Sequence, residues 1–261
     1  MRMRTSGFSL VELSIVLVIL GLLTGGILTG QSLIRAAELR AVTTEIQEYS
    51  TALYTFKNKY FALPGDMPNA TQFWGKDATF CNAHSGTASP TGTCNGNGDG
   101  SIDRGISGGN AFAENYTLWK HLALSGLING QYTGVTGSGG IYHSIIGENS
   151  PALKLSGSTF YMITEVITGN HIWLDGTYTN SLIIAKPNSF WTDAAVLAPE
   201  EAWNIDKKID DGHPGMGKVN IGRWGDCTTP TSGAAVSSNR NISYNLQNNS
   251  TLCNLIFINM F

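Results

Sequence analysis

From Phe8 to about Leu28 nearly every position is apolar, about 21 residues, a length that crosses roughly 30 Å of hydrocarbon as a helix. Residues 13–28 carry no charge, and Glu12 is the single carboxylate inside the run. The pattern then changes. Leu33, Ile34, Ala37, Ala41, Ile46, Tyr49, Leu53 and Phe56 recur at three- to five-residue steps between polar residues, which predicts that the helix continues as an amphipathic one. Pro64-Gly65 marks its end, so a helix from Phe8 to about Asn58 would run roughly 75 Å at 1.5 Å per residue.

Beyond it the periodicity shortens and breaks up. Asn110–Ser125 reads as a helix with Phe112, Tyr116, Trp119 and Leu122 on one face and Gly126 at its exit. Pro199 to about Ile209 reads as a second, with Pro199 in the first turn, Glu200 and Glu201 at its positive end, Lys207 and Lys208 at its negative end and Gly212 beyond. Clusters of β-branched and aromatic residues between Gly, Asn and Asp predict strands at Thr159–Ile167, His171–Leu174, Ser181–Ala185 and Lys218–Ile221. The fold class expected is α+β: a long N-terminal helix, membrane-inserted in its first half, packed on a head with an antiparallel sheet and short helices. The plan is a short basic stretch at residues 1–7, which the resemblance drawn below makes a leader, the helix at 8–60 with 8–30 in the membrane, and a head at 61–261.

Composition refines the head's environment. An apolar share of 42% supplies a core, while only 13% charged residues and 31 Gly describe a polar, turn-rich and nearly uncharged surface. The formal charge of −3 becomes −5 if Arg2 and Arg4 leave with the leader, since 14 basic residues then face 19 acidic ones. A chain of this balance has no basic patch for phosphates, and no nucleic acid binding is expected. The four cysteines, Cys81, Cys94, Cys227 and Cys253, sit beyond the apolar segment in no CxxC spacing, which points to disulfides in an oxidising compartment. Of the three pairings, Cys81–Cys94 and Cys227–Cys253 are favoured because each closes a short Gly-, Asn- and Thr-rich loop, at about 3 kcal/mol apiece in the chain-entropy picture.

Arg2 and Arg4 precede the apolar run and place the N-terminus in the cytoplasm, sending Gln31 onward outside. No small-residue cleavage site follows the run, so the helix is retained rather than removed as a signal peptide. A lone carboxylate within it costs about 2.5–3.5 kcal/mol at mid-membrane and calls for a partner or a function; the competing reading is that Glu12, close to the cytoplasmic end, simply reaches the headgroups.

The segment Gly7-Phe8-Ser9-Leu10-Val11-Glu12-Leu13, behind a short basic leader and ahead of the apolar run, resembles the cleavage and methylation signature of type IV prepilins and pseudopilins. The resemblance is strong to about residue 60 and only in outline beyond. It implies that a membrane-embedded aspartyl peptidase cuts after Gly7 and that the new terminus, Phe8, is N-methylated. It also implies that Glu12 meets the N-terminal amine of a neighbouring subunit, and an ammonium and a carboxylate paired in hydrocarbon offset each other's desolvation. Many members carry a kinking proline about three turns into the helix; this chain has none before Pro64 but offers Gly21, Gly25, Gly26 and Gly30 as points of local melting. The function implied is a structural subunit of a type IV pilus or type II secretion pseudopilus, not an enzyme. Its partners would be copies of itself or other pilins, the prepilin peptidase and an inner-membrane assembly platform, and a head of this size tilts the reading towards a pilin or minor subunit. The location implied is the bacterial inner membrane, N-terminus cytoplasmic and head periplasmic, then the filament. The rival is a membrane-anchored extracytoplasmic binding protein or hydrolase that never polymerises.

Candidate chemistry in the head is limited. Asn95, Asn97, Asp99, Ser101 and Asp103 place oxygen side chains at alternate positions, with Gly100 sixth and Ile102 eighth, the first two-thirds of an EF-hand-like calcium loop. The twelfth position is Ile106 rather than Glu, and Glu114 would close the site only from farther away; the competing reading is a plain Asn/Gly turn. Asp206, Asp210 and Asp211 before Gly212 form a weaker candidate for calcium. Some pseudopilin heads hold calcium, which the resemblance adds. Gly105-Ile106-Ser107-Gly108-Gly109 matches G-x-S-x-G but lacks the preceding strand, and Gly212 to Lys218 has phosphate-loop spacing but Val219 in place of Ser or Thr. His84, His121, His143, His171 and His213 show no metal-ligand spacing. Phe73, Trp74, Trp173, Phe190, Trp191, Trp203 and Trp224 would form either core or, if exposed together, a sugar-binding face.

Overall fold

The computed structural model describes residues 9–78, 81, 91–104, 113–167, 174–222, 225–229 and 240–258. One long helix, α1 (Leu10–Tyr60), starts from its cap at Ser9 and runs into the head. It ends where Phe61 turns into the left-handed region at φ 54° and donates its N–H to the Lys57 carbonyl at 2.9 Å. The stop therefore precedes Pro64-Gly65, the signal read from the sequence. A five-residue helix, α2 (Ala70–Trp74), follows, and then α3 (Glu114–Leu124), which Gly126 at φ 74° closes. The start expected for α3, at Asn110 to Phe112, lies outside the described residues.

The remaining elements are β1 (Thr159–Ile167), β2 (Gly176–Pro187), β3 (Thr192–Ala194), α4 (Pro199–Ile209), β4 (Val219–Ile221), β5 (Thr228–Thr229), β6 (Ser243–Tyr244) and β7 (Leu255–Phe257). Four strands lie in the order β1-β2-β7-β4, β3 also pairs with β2, and every pair is antiparallel. β1 matches its predicted span, and β2 extends Ser181–Ala185 in both directions. The predicted strand His171–Leu174 falls largely outside the described residues, and Leu174 itself is not in a strand. The last strand was not anticipated, yet it sits between β2 and β4, pairing Ile256 with Ile183 on one side and Asn220 on the other.

Period-two alternation sorts the sheet's side chains onto two faces. Phe160, Met162, Leu182, Ile184, Val219, Ile221, Leu255 and Phe257 join the main core with Val42, Ile46, Leu53 and Phe56 of α1 and Trp119 and Leu122 of α3. Tyr161, Ile163, Ile183, Ala185 and Ile256 face the other way, into a second core with Tyr116 and Tyr178. Tyr49 joins helix to sheet, edge-on to Trp119 at 5.5 Å and to Phe160 at 5.3 Å between ring centroids. The two disulfides join Cys81 to Cys94 and Cys227 to Cys253, with Cα atoms 5.5 and 5.2 Å apart. The molecule is thus a long apolar helix followed by an α+β head with a pilin-like arrangement.

Candidate functional site

Ser9 starts α1 with an extended backbone, φ −73° and ψ 143°, and its hydroxyl accepts the Val11 N–H at 3.3 Å. Glu12, three residues on, reaches back and accepts the Ser9 N–H at 2.9 Å. This reciprocal pair is a capping box, whose sequence signal is the S-x-x-E spacing of Ser9 and Glu12. The carboxylate is therefore held at the positive end of the helix, in its first turn. Gly7 and Phe8 themselves lie outside the described residues.

Above this cap, no side chain from Leu10 to Ile34 is buried by the chain's own head, and α1 is the one described helix long and apolar enough to cross a membrane. Its hydroxyls ask nothing of water. Ser14 donates to Val11 O at 2.8 Å, Thr24 to Leu20 O at 2.9 Å, Thr29 to Gly25 O at 2.9 Å and Ser32 to Thr29 O at 2.8 Å. A segment with every hydroxyl satisfied inside its own helix is suited to hydrocarbon. Gly21, Gly25, Gly26 and Gly30 have nothing of the chain within 4 Å of where a Cβ would sit.

Where α1 leaves this apolar stretch, Arg35 fastens it to the head. Its guanidinium donates two bonds of 2.6 Å to the Glu201 carboxylate, one of 3.0 Å to Val196 O, and one of 3.2 Å to Glu38. Glu201 also accepts the Ala198 N–H at 2.9 Å, so one carboxylate caps α4 and grips α1. These bonds hold its pKa below the usual range against the opposing effect of burial.

The 95–103 loop is gathered by residues from outside it. Asp66 accepts N–H bonds from Gly98 at 2.5 Å, Asp99 at 3.1 Å and Gly100 at 2.9 Å. Glu114 accepts from Asn97 at 2.9 Å and Asp103 at 3.0 Å. Asn180, at φ 46° beside the bulge in the β1–β2 ladder, accepts from Ile102 at 2.9 Å and donates to Gly100 O at 3.1 Å. Gly65 makes room for this, since a Cβ there would collide with the Glu114 carbonyl. Burial raises the carboxyl pKa of Asp66, and that of Glu114 to about 7, although the backbone N–H bonds pull both down. None of these three residues was tied to the loop by sequence, apart from Glu114 as a distant ligand.

Oxygen donors for a hard cation are present in kind at Asn97, Asp99, Ser101, Asp103 and Glu114. Several of them are engaged with amides, and Asn97 donates to Asp99 at 2.9 Å. Asn95 Oδ1 is turned out to the Thr71 N–H at 2.8 Å, Asn97 and Asp99 form turns onto the N–H groups of Asp99 and Ser101, and Glu114 serves loop amides. Among the described residues, Asp206, Asp210 and Asp211 are the group of three whose ligand oxygens lie within 4.8 Å of one another. Their oxygens are engaged too. Asp206 accepts from Gly212 N at 3.2 Å and from the Tyr244 hydroxyl at 2.9 Å, Asp210 from Lys218 and Val219, and Asp211 from His213 at 2.7 Å. Burial raises the Asp206 pKa to about 6. In both groups these oxygens accept hydrogen bonds from nearby turns.

The remaining candidates disperse. The G-x-S-x-G stretch, His84, His171, Trp173 and Trp224 lie outside the described residues. His121 is fully buried, taking the Gly65 N–H on Nδ1 at 2.9 Å, and burial depresses its pKa to about 3. Phe73 stands with Tyr60 and Trp74, whereas Trp191 stacks on Tyr142 at 4.1 Å; Trp203 packs against the core. No curated protein and no solved structure matches the chain. Residues 2–28 match the family model of the prokaryotic N-terminal methylation motif. The apolar helix with its capped Glu12 thus belongs to a prepilin-type cleavage and methylation segment.

Proposed function

We propose that the chain is a structural subunit of a type IV pilus or type II secretion pseudopilus, cut after Gly7, methylated at Phe8 and assembled through α1. The observation that carries this reading is the union of the 2–28 motif with a helix whose first half is apolar, internally satisfied and wholly unburied by its own head. Such a helix suits lipid before assembly and the packed helices of a filament after it. The partners are copies of this chain or sibling pilins, a prepilin peptidase and an inner-membrane assembly platform, with the head on the periplasmic side. Glu12, already poised at the helix start, would exchange its Ser9 N–H for the amine of a neighbour's Phe8. Replacing Glu12 with Ala is expected to abolish sheared filaments while processed subunit still accumulates in the membrane; undiminished filament yield would sink the reading. Calcium at the 95–103 loop is a separate proposal resting on the alternation of oxygen side chains. Chelator should lower the melting temperature of the intact chain, and an unchanged melt rejects it.

A further inference from the structure

We propose that the two ends of the head half of α1 meet head to tail between copies of this chain. The lysine- and aromatic-bearing upper end of one copy, at Lys57, Lys59, Phe61 and Phe73, seats on the carboxylate-rich lower end of the next, at Glu38, Glu200, Leu33 and Ile34. This rests on the reading of the chain as a filament subunit and names a contact which that reading leaves open.

The upper end is odd for an isolated molecule. Phe61 is 93% exposed and sits at φ 54°, a conformation that helix ends normally give to Gly or Asn. A bulky aromatic there carries backbone strain and leaves its ring exposed, and nothing among the described residues accounts for either. Phe73 is 55% exposed beside it, edge-on to Tyr60 at 5.4 Å, with the Lys59 ammonium 5.1 Å from the Tyr60 ring. Lys57 and Lys59 are exposed and take part in no ion pair among the described residues.

The lower end has the complementary character. Leu33 and Ile34 are 67% and 64% exposed, and Glu38 and Glu201 converge on Arg35 with Glu200 exposed beside them. Two carboxylates thus face Arg35 and the exposed Glu200 is a third in the same region, with Arg40 farther up the helix, so carboxylates outnumber arginines there three to two. Ile34 and Phe61 are separated by roughly 40 Å of helix, at 1.5 Å per residue, so the two ends of one copy cannot satisfy each other. A contact between two different patches is heterologous, and repeated without closing it propagates a filament.

The test uses the full chain with its processing and assembly machinery, reading sheared filaments relative to processed subunit in the membrane. Lys57→Glu with Lys59→Glu should lower yield about tenfold by placing like charges together, and adding Glu200→Lys should restore most of it. Phe61→Gly removes the strain, so the melting temperature of the subunit should hold or rise while filament yield falls; a purely structural Phe61 would not behave so. Wild-type yield in both the lysine and Phe61 variants overturns the contact. If those variants instead lose capture of a single-stranded oligonucleotide with filaments intact, the end is a polyanion site and the contact is likewise overturned. Failure of Glu12→Ala to reduce filaments would sink the subunit reading itself, whereas loss of filaments in Glu12→Ala alone rejects only this contact.

Discussion

The two halves of α1 share one unbroken backbone and two different surroundings. From Leu10 to Ile34 no side chain is buried, and polar groups are satisfied within the helix or at its cap. From Val42 to Phe56 a stripe of Val42, Ile46, Leu53 and Phe56 lies at 0–4% exposure under the sheet. Even a carboxylate is drawn in: Glu45 on this stripe accepts the Lys154 N–H at 3.0 Å, and burial raises its pKa. The stability of the upper half comes from the head it covers. The lower half has no such partner among the described residues, so its apolar surface stays exposed.

Unfolding of the full chain in detergent, followed through the head's aromatic signal, would sharpen this contrast. Phe56→Ala empties a site on the buried stripe and is expected to cost about 3–5 kcal/mol. Cys227→Ser with Cys253→Ser should cost about 3 kcal/mol, because the bridge ties the residues before β5 to those entering the central strand β7. Glu114 supplies a pH test. Its pKa rises from 4.5 to about 7 on folding, so the folded chain holds a proton that the unfolded chain releases between those values. Its contribution is therefore full below about pH 4.5 and is lost as pH rises through about 7. Glu114→Gln should flatten that part of the melting profile, and parallel profiles would refute the assignment. Arg35→Ala, at the junction of the two halves, should cost about 1 kcal/mol because the fork is partly exposed. Leu17→Ala should change head unfolding by no more than about 0.5 kcal/mol, since that side chain meets nothing of the head. A large effect there would break the comparison.

Some of this was legible in advance because it is local. The apolar run announces itself by length, the stripe from Leu33 to Phe56 by helical period, and α4 by Pro199 at its start and charges matched to its dipole. The capping box at Ser9 and Glu12 was equally visible as spacing and was passed over. The centre of the sheet was not legible. Leu255–Phe257 is three residues long, and what makes it a central strand is the pair of neighbours, β2 and β4, on either side. The setting of the 95–103 loop was not legible for the same reason. Its own residues spell a cation loop, but its amides are held by Asp66, Glu114 and Asn180, which arrive from three separate parts of the chain.

Sequence alone therefore marked the prepilin-type N-terminal segment and the two-character helix, and favoured the cysteine pairing that the structure shows, all properties of residues within a few turns or one loop of each other. The tertiary structure decided which strand lies in the middle, which carboxylates hold the 95–103 loop, and that Arg35 and Glu201 lock the helix to the head. These depend on groups brought together from distant segments, and only the folded backbone sets those distances.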